Sequence, residues 1–191
     1  DNARTAHWRA LLIGPFPPPV GGDTILTRNL SKSAFWSGGG LVVECINTSA
    51  GDRVRLPDEP LAPGDILRGA RIALRVASKI HRSDVALLWC NNRFAVTAGL
   101  AIMICCRLAG RPLFVKAFGG YLAKRIARLP WVWRRAAVAL LGGVECVFAE
   151  TELVARELVA EAGFLRAECR FFQITSFRKR RRDALGRSIF G

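Results

Sequence analysis

The chain has 191 residues and an apolar fraction of 51%, which suits one domain with a large core, or one domain and the start of another. Its formal charge of +14, from 29 basic and 15 acidic residues, indicates an anionic partner or surface. Six cysteines without a CxxC pair, together with two histidines, exclude a zinc site of regular spacing, so no metal is predicted. Most of the cysteines fall in apolar runs, which indicates reduced thiols and a cytoplasmic protein.

The first half of the chain predicts a strand, a helix, a strand, a long loop and a helix. An apolar strand over residues 8–14 ends at a run of prolines, and a helix is expected over 24–35. A turn at 38–40 leads into a strand over 41–46, and three prolines make 47–64 a loop. The helix predicted over 65–81 has one apolar face and one basic face. Its apolar face would hold Ile66, Ala70, Ala73, Ala77 and Ile80, and its basic face Arg68, Arg71, Arg75, Lys79 and Arg82.

The second half continues the alternation, which predicts an α/β protein with a doubly wound parallel sheet. Strands are expected over 85–90, 112–116, 144–149 and 170–174. Helices are expected over 94–108, over 122–141 with a break at Pro130, and over 151–162 with Thr151 as N-cap and Gly163 as the stop. The longest apolar run, 94–106, is shorter than the roughly 20 residues that span a bilayer, so it predicts a buried helix.

The stretch LLIGPFPPPVGG at the end of the first strand has the features of an anion site. A strand followed by a stiff bend and two glycines at a helix start brings backbone N–H groups together, as phosphate requires. The spacing does not match the G-x-G-x-x-G fingerprint, and Asn47 stands where a dinucleotide site has an acid. No lysine follows Gly22, so a Walker loop is excluded as well. The alternative is a tight turn that needs glycine for its backbone angles.

Three stretches carry a resemblance to a known family and together cover nearly all of residues 8–178. They read GPFPPPVGGDT, then VKAFGGYLAKRI, then VECVFAETELVARELVAEAGF followed by RFFQITSFR. In this order they resemble the N-terminal domain of GT-B glycosyltransferases of the family-4 type.

The resemblance implies a single Rossmann-like domain on the acceptor side, over residues 1–177. Residues 178–191 would be a basic interdomain linker and the start of a missing C-terminal domain that holds the donor. The implied activity is transfer of a sugar from a nucleotide-sugar donor to a glycan or lipid-linked acceptor, with no cofactor beyond that co-substrate. The chain alone is then expected to be inactive, because half of the cleft would be absent.

The expected site residues lie at the carboxyl ends of the strands, where open α/β sheets bind ligands. The resemblance places the first-loop glycines near the donor phosphates. Asn91, with Asn92 and Arg93 after it, is a candidate for hydrogen bonds to a sugar, or caps the loop instead. Lys116 is a candidate anion contact, or reaches solvent instead. No histidine follows the fourth strand, so no general base is named. The full predicted set is Gly21, Gly22, Asp23, Thr24, Asn91, Lys116, Gly119, Gly120, Tyr121 and Glu150.

A second predicted surface combines cations with tryptophan, which suits an anionic membrane interface. It consists of Lys124, Arg125, Arg128, Trp131, Trp133, Arg134 and Arg135. The expected location is the cytoplasm, peripheral on the inner face of the membrane; the alternative is a solvated basic face. Two other functions stay open: a non-enzymatic membrane-associated binding module, and a nucleic-acid-binding protein. The basic run at 178–182 favours the latter, but no nucleic-acid-binding motif accompanies it, so nucleic acid is not expected as a partner.

Overall fold

The computed structural model describes residues 8–33, 40–49 and 62–162. These residues form an α/β domain around one five-stranded sheet in which every paired neighbour is parallel. The strands are ordered β2-β1-β3-β4-β5, which confirms the predicted Rossmann-like doubly wound sheet. They are β1 (Trp8–Gly14), β2 (Leu41–Asn47), β3 (Val85–Asn91), β4 (Leu113–Phe118) and β5 (Cys146–Phe148).

The helices connect the strands in the alternating order that a parallel sheet requires. They are α1 (Gly22–Ser31), α2 (Pro63–Ile80), α3 (Asn92–Ala95), α4 (Ala98–Leu108), α5 (Leu122–Ala127), α6 (Trp131–Gly142) and α7 (Glu152–Ala162). Because crossovers between parallel strands are right-handed, α1 lies on the face of the sheet opposite α2 and α4. Helix α2 packs on α4, and α4 packs on α6.

The core lies between the sheet and the helical layer of α2, α4 and α6. In β3 and β4 alternate residues are buried toward this layer, among them Leu88 and Val115, and the residues between them are half-buried. Strand β1 lies between β2 and β3 and is buried from Ala10 to Gly14. The continuous apolar run at its end is therefore explained by helices that cover both of its faces.

The buried face of α2 differs from the prediction. Ile80 is buried as predicted and Ala73 and Ala77 are half-buried, but Ile66 and Ala70 are exposed. Gly69, Ile72 and Val76 are buried instead. The reason is the close approach to α4, because a Cβ atom at Gly69 would lie 3.0 Å from the Cβ atom of Ala98. The contact between the two helices therefore favours glycine at position 69. Ile72, Val76 and Ile80 are buried on the same side of α2.

The helix predicted over 94–108 is divided in two. Its first part, α3, ends at Ala95, and α4 begins at Ala98 after Thr97, whose φ of −122° and ψ of −103° are not helical. The break predicted at Pro130 is confirmed, since α5 ends at Ala127 and α6 begins at Trp131.

The predicted turn at 38–40 lies outside the described residues except for Gly40. The same holds for most of the predicted loop, Gly163, the strand at 170–174 and the boundary between residues 177 and 178. Within the described ranges, no helix is both long and apolar enough to cross a membrane.

Candidate functional site

The strand order changes direction between β1 and β3, and this junction defines the candidate site. The chain leaves β1 toward β2 on one side, and returns from β3 toward β4 on the other. Loops that leave two neighbouring strands toward opposite faces open a crevice at the carboxyl edge of the sheet. Here the loop before α1 forms one wall, and the turn containing Asn91, Asn92 and Arg93 forms the other.

Thr24 organises the first wall. Its Oγ1 accepts the N–H of Gly21 at 2.9 Å and lies within donating distance of the Pro19 and Gly21 carbonyl oxygens. The Thr24 N–H is donated to Asp23 Oδ1 at 3.1 Å, and that of Ile25 to the Gly21 carbonyl. The N–H groups of Gly21 and Thr24, which the sequence predicts to be available to an anion, therefore already donate hydrogen bonds within the loop.

Gly22 and Asp23 keep their N–H groups unpaired within the described part of the chain. They occupy the first turn of α1, where the helix dipole favours an anion. A Cβ atom at Gly22 would have no neighbouring atom within 4 Å, so the backbone there is open to a ligand. This wall thus offers an anion two amides and an accessible main chain.

The opposite wall holds polar groups that the described residues do not satisfy. Asn91 caps α3, since its Oδ1 accepts the Phe94 N–H at 2.8 Å. The side chain of Asn92 is buried, with 9% of the residue exposed, and its Oδ1 has no hydrogen-bond partner. Both terminal nitrogens of Arg93 are also buried without one. Asp65 Oδ2 lies 4.0 Å from Arg93 Nη2, which is too long for a hydrogen bond.

A third group of predicted residues meets beyond β4. The N–H of Gly119 points to Glu150 Oε2 at 3.4 Å, so the two loops predicted separately are neighbours. Gly119 and Gly120 have φ of 92° and 66°, values that glycine adopts readily. A Cβ atom at Gly119 would lie 3.4 Å from Asn92 Nδ2, which connects this loop to the second wall. Tyr121 is exposed beside it.

Lys116 is not brought to this edge. It lies inside β4, in register with Trp89 and Phe148, on the half-buried face of the sheet. Its Nζ is 5.5 Å from the ring centroids of both Trp89 and Phe118. The two aromatic rings hold the ammonium by cation–π attraction, two residues before the strand ends.

The residues that sequence analysis undervalued are Asn92 and Arg93. Their position after a strand was visible, but burial without a partner is a property of the packed structure. Thr151 is the N-cap that the sequence predicts, with its Oγ1 3.3 Å from the Val154 nitrogen. Within the described ranges, no group of histidine, cysteine or acidic side chains could hold a metal ion.

A separate cavity of about 310 Å³ lies at the amino edge of the sheet, between the ends of α4 and α6. Its lining includes Met103, Leu113 and Leu140, with Arg107, Arg111 and Glu145 at its polar side. None of the predicted site residues lines it.

A comparison of the sequence with protein-family models finds no matching model, and a comparison with curated proteins finds no matching relative.

Proposed function

We propose that this chain is the acceptor-side domain of a glycosyltransferase that moves a sugar from a nucleotide-sugar donor to a glycan or lipid-linked acceptor. The observation that carries the proposal is the pair of unsatisfied buried side chains, Asn92 and Arg93, in the crevice that the start of α1 borders. The Arg93 guanidinium lies 4.0 Å from the Asp65 carboxylate, but its two terminal nitrogens are buried without a hydrogen bond, and an anion in the crevice would supply the acceptors that they lack.

The chemistry of the two walls fits a sugar linked to a diphosphate. The amides of Gly22 and Asp23 and the Arg93 guanidinium suit phosphate oxygens, whereas the Asn92 amide and the Glu150 carboxylate suit sugar hydroxyls. The Gly119–Glu150 contact brings a carboxylate to the same edge. Enclosed polar groups of this kind add selectivity, because a ligand that cannot pair them leaves them unsatisfied.

Gly22→Ala tests the proposal without disturbing the fold. A methyl group has open space there, and alanine restricts the unfolded chain more than glycine does, so stability should hold or rise. The same methyl group would stand where the phosphate approaches, so the affinity for nucleoside-diphosphate sugars should fall about tenfold. Calorimetric titration of a panel of these sugars into the full chain measures it. Gly64→Ala is the matched control, since Gly64 also lies in the first turn of a helix with open space around it.

Arg93→Met tests the second wall of the crevice. The substitution takes away the cation 4.0 Å from the Asp65 carboxylate, so the free energy of unfolding should fall modestly, while binding is lost. The proposal fails if NAD or ATP binds more tightly than every nucleoside-diphosphate sugar. It also fails if the two variants bind those sugars as well as the unaltered chain does.

A further inference from the structure

Helix α6 begins with a group of large side chains that the fold leaves uncovered. Trp131 is 70% exposed, Val132 55% and Trp133 60%, and Arg134 and Arg135 after them are exposed as well. Five successive residues of a helix point in all directions around its axis. The first turn and a half of α6 therefore projects from the body, and burial of the helix begins at Ala137.

The stretch of chain that includes this helix tip is basic. No acidic residue occurs between Asp84 and Glu145, and the basic residues in that span are Arg93, Arg107, Arg111, Lys116, Lys124, Arg125, Arg128, Arg134 and Arg135. The first turn of α6 has no acid, although acids are favoured at a helix start and cations are not. Local helix stability thus does not explain Arg134 and Arg135.

Two residues of the predicted membrane surface are less available to a membrane than the others. Lys124 is paired with Glu157 at 3.7 Å, and Arg125 is half-buried. Arg135 lies over the Trp131 ring, with 6.0 Å from Cζ to the centroid. The exposed set, called the α6 tip from here on, is Arg128, Trp131, Val132, Trp133, Arg134 and Arg135.

We propose that the α6 tip docks on an anionic lipid bilayer, with its indoles at the headgroup level and its arginines on the lipid phosphates. Tryptophan favours this depth because its ring is apolar and its N–H is polar. The all-round exposure indicates shallow insertion by the end of the helix, in contrast to an amphipathic helix that lies in the plane of the interface. The exposed arginines of the tip match the negative potential of anionic lipids.

Docking in this way would turn the candidate site toward the membrane. Helix α6 carries the chain from the carboxyl edge, where β4 ends, back to the amino edge, where β5 begins. Its first turn therefore lies at the carboxyl edge, the side on which the crevice opens. This inference does not depend on the proposed sugar transfer.

The test compares variants of the full chain in sedimentation with vesicles of phosphatidylglycerol and phosphatidylcholine, and with vesicles of phosphatidylcholine alone. Because the whole chain is basic and any loss of charge can weaken binding to anionic vesicles, each variant has a control that removes the same type of residue from another surface. Trp131→Ala/Trp133→Ala is compared with Trp8→Ala, since Trp8 is 60% exposed but lies at the amino edge. Arg134→Gln/Arg135→Gln is compared with Arg71→Gln/Arg75→Gln, which removes the same charge from exposed residues of α2.

The expected result is about a fivefold loss of affinity for anionic vesicles per arginine removed at the α6 tip, and a smaller loss for the α2 pair. Trp131→Ala/Trp133→Ala should lower the affinity for anionic vesicles about tenfold and abolish the blue shift of tryptophan fluorescence that vesicles induce. Trp8→Ala should keep the affinity and the blue shift. Melting curves of the variants confirm that they are folded.

The proposal is overturned if the matched controls lose as much as the tip variants, or if binding is equal on uncharged vesicles. It is also overturned if the tip variants bind vesicles normally but lose self-association in analytical ultracentrifugation or binding to nucleic acid. Those results would assign the surface to a second copy of the chain or to a nucleic acid.

Discussion

Thr24 illustrates how a single hydroxyl decides which amides of a loop stay accessible. The residue is buried, and its one Oγ1 contacts both the amide of Gly21 and the carbonyl of Pro19. The predicted cluster of bare amides is therefore smaller than the glycine pair suggested, and it is shifted by one residue toward Asp23. We assign Thr24 a positioning role, because its hydrogen bonds hold the loop and leave Gly22 open.

The buried cysteines act on stability rather than on chemistry. Burial raises the pKa of the Cys90 thiol from 9.0 to about 12, and burial with the neighbouring Cys105 raises the pKa of Cys106 to about 12. Each thiol therefore contributes stability below pH 9. In the unfolded chain it ionises as the pH rises above 9, whereas in the fold it stays protonated until about pH 12, so the contribution is lost across that window.

Cys90→Ala should therefore flatten the alkaline loss of stability. Above pH 9 the free energy of unfolding of the unaltered chain should fall by about 1.4 kcal/mol per pH unit for each such thiol. In the variant it should fall less steeply, because one of these thiols is absent. Urea unfolding between about pH 8 and pH 10 measures the slope, apart from the constant effect of the smaller side chain. Cys45→Ala is the comparison, because Cys45 is exposed and its removal should change the slope less. Equal slopes for Cys90→Ala and the unaltered chain would contradict this explanation.

Among the helices, α5 is too short to be stable alone and is stabilised by its packing. It has six residues, fewer than a helix needs to be stable alone, and Leu122, Ala123 and Ile126 are buried. It packs against α3 and α7, so it joins the loops after β3, β4 and β5 at the carboxyl edge. The candidate site depends on this contact, because the Gly119–Glu150 and Asn92–Gly119 neighbours lie between the same elements.

Ile126→Ala should weaken the packing of α5 against α3 and α7. Ile126 is fully buried, and its truncation should lower the free energy of unfolding by about 2–5 kcal/mol through lost burial and a cavity. Urea denaturation measures the change, and Ile104→Ala, at an exposed position of α4, should cost much less. If both variants lose the same stability, α5 is not held by its buried side chains.

The order of the elements could be predicted from the sequence because each strand is a short apolar run bounded by glycine, proline or a polar turn. What could not be predicted depended on contacts between distant segments. The predicted buried face of α2 was right at Ile80 but wrong at Ile66 and Ala70, because Gly69 approaches α4. The break before α4 falls at Thr97, where no proline announces it. For the site, the edge and the first loop were predictable, but the unsatisfied groups of Asn92 and Arg93 arise only when α2 and the β4 loop surround them.

For the whole molecule, the two ends of the sheet differ in character. The carboxyl edge carries the glycine loops, the unsatisfied polar groups and the projecting tip of α6, whereas the amino edge carries the cavity between α4 and α6. The helical layer covers one face of β3 and β4 fully, and the other face stays half-buried. The features that indicate ligands and partners thus collect at one end, as the switch-point rule for parallel sheets predicts.

The net charge leads to a last prediction for the whole chain. At +14 the compact state repels itself, so screening by sodium chloride from low to physiological ionic strength should stabilise it by on the order of 1 kcal/mol. For a chain of this size that raises the melting temperature by about 2–4 °C. Phosphate at equal ionic strength should add a further increase if the crevice binds an anion as proposed, and Gly22→Ala should remove only that second part. A melting temperature that falls with chloride would contradict the repulsion. A phosphate effect that persists in Gly22→Ala would show that the anion binds elsewhere.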